Sequence, residues 1–146
     1  MPIARVSNST NATSSGCDVK SYLLQDWITI SSDATVTTTN VAQVSDLWLD
    51  IGRASDLVFF LQIAQRTGGS VPKLRYETAP LRDSNLFQEL GAATVASTPT
   101  TTVTPVSLYT SPAVPPSRWL RWRLTTNDVS PTWNVTFRLT VMAYAR

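Results

Sequence analysis

The sequence predicts a single all-β domain, an antiparallel two-sheet sandwich of jelly-roll type with about eight strands, at most one short helix and an extended N-terminal arm. Three observations predict this fold class. Short segments of alternating apolar and polar residues recur from residue 19 onward, with turn-forming residues between them. Threonine, whose branched side chain suits a pleated strand, supplies 21 of the 146 residues. Only one segment, residues 83–90, has the apolar spacing of a helix.

Residues 1–16 are predicted to form the polar arm, and residues 17–146 the sandwich domain. The arm ends in a run of Asn, Ser, Thr and Gly, a composition that does not fold alone because it buries too little apolar surface. We therefore expect a neighbouring subunit to hold the arm. The residues expected to bridge subunits are Pro2, Ile3, Arg5 and Val6.

The first half of the domain is predicted to be extended. Residues 19–30 hold one or two strands, and residues 34–39 hold a short strand. Residues 43–51 form a further strand with two distinct faces. Its expected apolar face consists of Leu47, Leu49 and Ile51, and its other face of Asp46, Trp48 and Asp50.

The middle of the chain contains the segment expected to be most buried. Residues 57–65 begin with apolar side chains on both faces, and Gly68 and Gly69 predict a tight hairpin turn to a strand at residues 73–78. Residues 83–90 are the helical candidate, with Gly91 as its stop. A loop is predicted over residues 94–105, followed by a strand at residues 106–110.

The last two strands carry the clearest alternation, and we expect them to form a hairpin. In residues 118–125 the even positions are expected to face the core, and in residues 133–141 the odd positions. The expected core residues are Leu120, Trp122, Leu124, Trp133, Val135, Phe137, Leu139 and Val141.

The outward side chains of this hairpin are the candidate contact surface. They include Trp and Arg, which dominate binding hot spots. The set is Trp119, Arg121, Arg123 and Arg138, and Trp48 is a further candidate. The alternative is that another layer of the protein covers this face and the side chains pack ordinarily. Nucleic acid is not an expected partner, because the net charge is only +2.

The composition argues against an enzyme, a metal protein or a cofactor protein. The chain has no His and one Cys, which excludes histidine triads and the usual thiolate metal sites. Asp46 and Asp50, four residues apart on a strand, would lie about 13 Å apart, farther than glycosidase carboxylates do. An oxygen-ligated calcium site using Asp46, Asp50 or Asp56 remains an alternative. The longest apolar run, residues 57–61, is too short to span a membrane.

The closing pattern also supports a resemblance. The sequences RWLRWRL at residues 118–124 and WNVTFRLTV at residues 133–141 resemble the final hairpin of small jelly-roll virion proteins of tailed phages, the capsid decoration or cement proteins. The likeness covers roughly the last two-thirds of the chain and lies in strand pattern. It implies a location on the capsid surface after synthesis in the host cytoplasm. It also implies two partners, the major capsid protein and further copies of the chain, with a homotrimer favoured.

The same pattern resembles galactose-binding-like jelly rolls. That resemblance implies the alternative function, a carbohydrate-binding or adhesion module in which Trp48 or Trp119 stacks on a sugar ring.

Overall fold

The computed structural model describes residues 18–32, 40–68, 72–107, 115–126 and 133–145. The predicted arm and the predicted strand at residues 34–39 lie outside these ranges, as does Gly69. No helix among the described residues is long and apolar enough to cross a membrane.

The described residues form nine strands and two 3-10 turns, so the predicted all-β class is confirmed. The strands are β1 (Asp18–Ser32), β2 (Asn40–Ala42), β3 (Leu49–Asp50), β4 (Ala54–Thr67), β5 (Lys73–Ala79), β6 (Gln88–Thr94), β7 (Thr100–Ser107), β8 (Trp119–Thr125) and β9 (Trp133–Ala145). The turns are Ser45–Leu47 and Ser84–Leu86.

The strands make two antiparallel sheets. The four-stranded sheet has the order β1-β9-β4-β7, and the five-stranded sheet has the order β2-β8-β5-β6 with β3 also paired to β8. If β2 and β3 are taken as one interrupted strand, the first four strands pair in reverse order with the last four: β1 with β9, β2/β3 with β8, β4 with β7, and β5 with β6. This is a long hairpin rolled into two sheets, the topology of a jelly roll.

The rolled topology means that two predicted hairpins are wrong. β4 and β5 lie in different sheets, and so do β8 and β9. Gly68 does adopt the predicted positive φ, at 66°, but it begins a crossing from one sheet to the other. Alternation in a sequence shows which side chains share a face, and it does not show which strand is the neighbour.

The core lies between the two sheets. All eight core residues predicted from β8 and β9 are buried. Phe59 of β4 and Tyr76 of β5 stack across the sheets with ring centroids 4.1 Å apart, and Trp122 meets Phe137 edge-on at 5.1 Å. Such aromatic pairs stabilise a core beyond their buried area.

Two buried glutamines join the sheets at one edge. The Trp122 indole N–H donates to the Gln25 side chain of β1 at 3.1 Å. Gln43, which follows β2, donates its side-chain amide to the Leu24 carbonyl at 2.7 Å. Its backbone N–H donates to the Trp122 carbonyl, and its side-chain carbonyl accepts from the Trp122 N–H. Because buried polar groups are costly without partners, these bonds fix how β1 meets β8.

Residues 43–51 do not form the single predicted strand. Val44 accepts a hydrogen bond from the Leu47 N–H, which closes the 3-10 turn, and the Trp48 indole N–H donates to the Gln43 carbonyl at 3.0 Å. Only Leu49–Asp50 forms a strand, and Leu47 is exposed instead of facing the core. These local bonds override the period-two pattern.

The helix predicted at residues 83–90 and the loop predicted at residues 94–105 are also wrong. Asp83 caps only the short turn Ser84–Leu86 by accepting from the Asn85 N–H at 2.9 Å. Gly91 lies inside β6, which pairs with β5. β7 begins at Thr100 and contains Pro105, which an edge strand tolerates because it has no partner on its outer side.

The glutamine link predicts a loss of stability on Gln43→Ala. The change leaves the Leu24 carbonyl without its buried donor, and we expect a fall of about 1–3 kcal/mol in the free energy of unfolding. Gln88→Ala, at an exposed position of β6, is the matched control and should change it by less than about 0.5 kcal/mol. Urea denaturation measures both, and equal effects would contradict the structural role of Gln43.

Candidate functional site

The outer face of the five-stranded sheet carries four of the five residues predicted as a contact surface. Trp119, Arg121 and Arg123 alternate outward along β8, while their neighbours Leu120 and Trp122 are buried in the core. Trp48 reaches this cluster from the end of the first 3-10 turn. Arg138 does not join it, because β9 lies in the other sheet. Arg138 therefore does not share a surface with Trp119, Arg121 and Arg123, as the predicted hairpin of β8 and β9 requires.

A buried carboxylate holds the two arginines of β8. Glu77 on β5 accepts from Arg121 through Oε1 at 2.8 Å and from Arg123 through Oε2 at 2.8 Å. The side chains of Glu77, Arg121 and Arg123 are 4%, 11% and 30% exposed. Both carboxylate oxygens are therefore used within the chain, and the two guanidiniums compensate the charge of the buried Glu77.

Two aromatic side chains shield this ion-pair group from solvent. Phe87, which follows the second 3-10 turn, lies under the Arg121 guanidinium, whose carbon is 4.1 Å from the ring centroid. Trp48 meets Phe87 at 4.8 Å and 65°, and its ring centroid is 5.5 Å from the same guanidinium. The two turns thus form an added layer over the sheet, which explains why an outward-facing Glu77 is buried.

Further arginines cover the tryptophan rings. Arg82 lies 5.9 Å from the Trp48 ring and 5.6 Å from the Trp119 ring, and it donates to the Ser45 carbonyl at 2.7 Å. Arg118 lies 5.8 Å from the Trp119 ring. These cation–π contacts occupy ring faces on which a sugar would stack.

Exposed apolar side chains surround the covered cluster. They lie on or beside the two 3-10 turns, which the Trp48–Phe87 and Arg82–Ser45 contacts hold together. They are Val44, Leu47, Leu81 and Leu86. The sequence does not indicate this rim, because its pattern places Leu47 on the core face of a strand and Leu86 in a helix.

Asp50, a candidate calcium ligand, is engaged by other groups. Arg118 donates to its Oδ2 through two nitrogens at 3.0 and 2.9 Å, and the Gly52 N–H donates to Oδ1 at 2.9 Å. The Arg118 hydrogen bonds, and then that of Gly52, hold the pKa of Asp50 below its usual value. The described part of the chain contains no group of three or more His, Cys, Asp or Glu able to hold a metal ion.

The outer face of the four-stranded sheet has a different character. Its outward side chains include several large apolar ones among polar neighbours, and we name six of them the apolar face: Leu23, Trp27, Val58, Phe60, Val103 and Met142. Leu23, Trp27 and Val103 are 53%, 47% and 52% exposed, and the three on the central strands are half-buried. Arg138 lies at one end of this face, with its guanidinium 5.2 Å from the Trp27 ring and its Nε donating to Gln62 at 2.9 Å.

Comparison with solved structures supports the fold. A chain in the structure of infectious bursal disease virus Gt strain superposes with a TM-score of 0.54 and 12% identity, over 88% of this chain and 32% of that chain. A chain of the Gx strain gives 0.52 and 8%, over 89% and 32%. This chain thus spans about a third of the viral chains' length. At these identities the likeness shows a shared sandwich fold.

A weaker likeness was found to the K1 cleaved adhesin domain of Lys-gingipain from Porphyromonas gingivalis W83. Its TM-score is 0.47 with 11% identity, over 85% of this chain and 97% of that domain, and at that score it carries no argument. No protein-family model and no curated protein sequence matches the chain.

The ion-pair group predicts that Glu77 is structurally required. Glu77→Ala leaves two partly buried guanidiniums without their carboxylate, and we expect a loss of about 3–5 kcal/mol in the free energy of unfolding. Glu89→Ala breaks the exposed Arg75–Glu89 pair on the same sheet and should cost about 0–1 kcal/mol. Urea denaturation measures the free energy of unfolding of both variants. A small loss on Glu77→Ala would show that the ion-pair group of Glu77, Arg121 and Arg123 contributes little to stability.

The lowered pKa of Asp50 predicts a pH-dependent contribution to stability. A group whose pKa is lower in the folded state stabilises the fold above its unfolded pKa of about 3.9, and this stabilisation disappears as pH falls through the folded pKa. Asp50→Asn should therefore lower stability at pH 7, and its deficit relative to the wild type should shrink as pH falls below about 3.9. Urea denaturation at pH 7 and at lower pH values checks this, and a deficit that does not change with pH contradicts it.

Proposed function

We propose that the chain is a non-enzymatic structural protein of a virion, made in the host cytoplasm and assembled by contacts between sheet surfaces. The observation that carries the proposal is a jelly roll in which one sheet is shielded by the protein's own turns while the apolar face of the other is open to solvent among the described residues. Jelly rolls occur in viral capsid and lectin domains. Contiguous exposed apolar side chains often mark interaction sites.

The finer proposal is a capsid decoration protein. In this role the domain adds non-covalent links between subunits of the major capsid protein on the head of a tailed phage. The turn rim of Val44, Leu47, Leu81 and Leu86 is suited to that contact, since apolar side chains lie around a rigid cluster containing Trp48 and Arg121. Pro2, Ile3, Arg5 and Val6 belong to the same proposal as bridging residues, and a homotrimer is the oligomer that the phage resemblance implies.

Particle composition tests the virion proposal directly. Virions purified by density gradient from a host that carries the encoding genome should contain the chain in a fixed ratio to the major capsid protein, as measured by quantitative mass spectrometry. Chain found in the lysate and absent from washed particles would contradict the proposal. Particles that keep intact shells but lose the chain under mild denaturant indicate decoration, whereas loss of the shell together with the chain excludes it.

Carbohydrate binding is the second candidate, and one observation favours it. A cleft of about 470 Å³ at one end of the sandwich is lined by residues that include Lys20, Tyr22 and Arg53, and these side chains can bind sugar hydroxyls and rings. Neither Trp48 nor Trp119 lines this cleft. Glycan-array binding that Tyr22→Ala abolishes would support this candidate, and no binding by the wild type would remove it.

A further inference from the structure

The cleft at the end of the sandwich opens between the two sheets. On β1, Tyr22 pairs with the buried Val141 of β9, so its side chain projects from the core side of the four-stranded sheet. Lys20 and Asp18 follow at steps of two residues and project to the same side. Asp50 also lines the cleft, and it belongs to β3, which pairs with β8 of the other sheet.

Small side chains keep this end of the sandwich open. Ala54 and Ala143 belong to the core and line the cleft, and Ala145 pairs with Ala54 beside them. Two residues farther along β9, Val141 pairs with the fully buried Phe59, so larger side chains fill the space between the sheets there. The alanines instead leave a volume of about 470 Å³. Sites for small molecules usually occupy about 300–1,000 Å³.

A hydrogen-bonded turn places Arg53 at the cleft before any ligand binds. Gly52 has a φ of 60°, in the left-handed region that favours glycine. Its N–H donates to Oδ1 of Asp50 at 2.9 Å, and Arg118 holds the other carboxylate oxygen. A backbone that is fixed in advance costs less entropy to order when a ligand binds.

The charges that line the cleft are unevenly paired. Asp50 is compensated by Arg118, whose Nη2 lies 2.9 Å from Oδ2. Lys20 and Arg53 are exposed, and neither forms an ion pair with another described residue. Asp18 is the remaining acid of the lining, so the two cations leave one positive charge without a counterpart. One negative group on a ligand would compensate it, because Lys and Arg bind such groups through charge-assisted hydrogen bonds.

The apolar part of the lining suits the ring of a sugar. Tyr22 is half-buried and packs against the core, and it lines the cleft together with the alanines. Aromatic and apolar walls with a few placed polar groups are typical of small-molecule sites. We infer that the cleft binds an acidic saccharide, a sugar unit with one carboxylate or sulfate group, which Lys20 and Arg53 hold while Tyr22 contacts the ring. The inference rests on the carbohydrate candidate and adds the charge of the ligand to it.

A glycan array probed with the full-length chain tests the charge requirement. The array carries glycans with uronic acid, sialic acid or sulfate beside their neutral counterparts, so separate arms distinguish carboxylate from sulfate. We expect at least one acidic class to bind about tenfold or more tightly than its neutral counterpart. Added salt should weaken this binding.

The array also separates the inference from the candidate on which it rests. Equal binding of acidic and neutral glycans would overturn the charge requirement and leave the carbohydrate candidate standing. No binding to any glycan would remove both. The virion proposal is decided by particle composition and is affected by neither result.

Single substitutions test whether the cleft is the site. Lys20→Ala and Arg53→Ala change exposed side chains, so the fold should be kept, as measured by circular dichroism and thermal melting. Each should weaken binding of the acidic glycan by about tenfold. Asp18→Asn removes a like charge and should strengthen that binding by about twofold or more, which a merely structural role does not explain.

Lys73→Ala is the matched control, because Lys73 is an exposed cation on β5 of the other sheet and does not line the cleft. It should bind the acidic glycan like the wild type. An equal loss on Lys73→Ala would show attraction to the whole surface and overturn the inference. Unchanged binding by both Lys20→Ala and Arg53→Ala would also overturn it, because the site then lies elsewhere.

Discussion

The burial of Trp122 is the constraint on which the rest of the structure depends. Its indole lies between the sheets, edge-on to Phe137, and its N–H must find an acceptor inside the protein. Gln25 supplies that acceptor from the opposite sheet, and Gln43 binds both the backbone N–H and the backbone carbonyl of Trp122. These bonds join β1 of one sheet to β8 of the other, and the remaining strands pair within each sheet.

The outer faces of the two sheets differ in how far the chain covers them. On the five-stranded sheet, Glu77 gathers Arg121 and Arg123, and the turns carrying Trp48 and Phe87 close over them. The chain therefore completes that face by itself. The four-stranded sheet has no such cover among the described residues, and its apolar face stays open. The two faces therefore differ in one respect: the arginine cluster is covered by the chain's own turns, whereas the described residues leave the apolar face uncovered.

Local alternation made part of this structure predictable. The inward sets of β8 and β9 follow from their strict period of two, since only one face of each strand is apolar. The sheet to which each strand belongs does not follow, because it depends on partners more than a hundred residues apart, such as Asp18 and Ala145. For this reason the sequence pattern places Arg138 beside Arg121, although the two residues lie in different sheets.

The candidate sites were harder to predict for two reasons. The sequence does not show that Trp27 faces outward, because β1 carries apolar residues on both faces. Two register shifts near Gln25 also break its alternation. The short apolar segment ending at Gly91 fits a helix or a strand equally well, and only pairing with β5 decides. By contrast, the run at residues 57–61 did indicate a strand apolar on both sides, and the second side proved to be the open face.

The reversed pairing order also determines when the protein can fold during its synthesis. β1 is synthesised before the other described strands, yet its partner among them is β9, the last of the nine. β4 must likewise wait for β7 and β9, so its apolar residues stay unpaired while most of the chain is translated. Chains dominated by such distant pairings fold slowly, over about milliseconds to seconds. The nascent polypeptide is therefore exposed to aggregation until β9 has been synthesised, and this exposure matters most when many copies are made together.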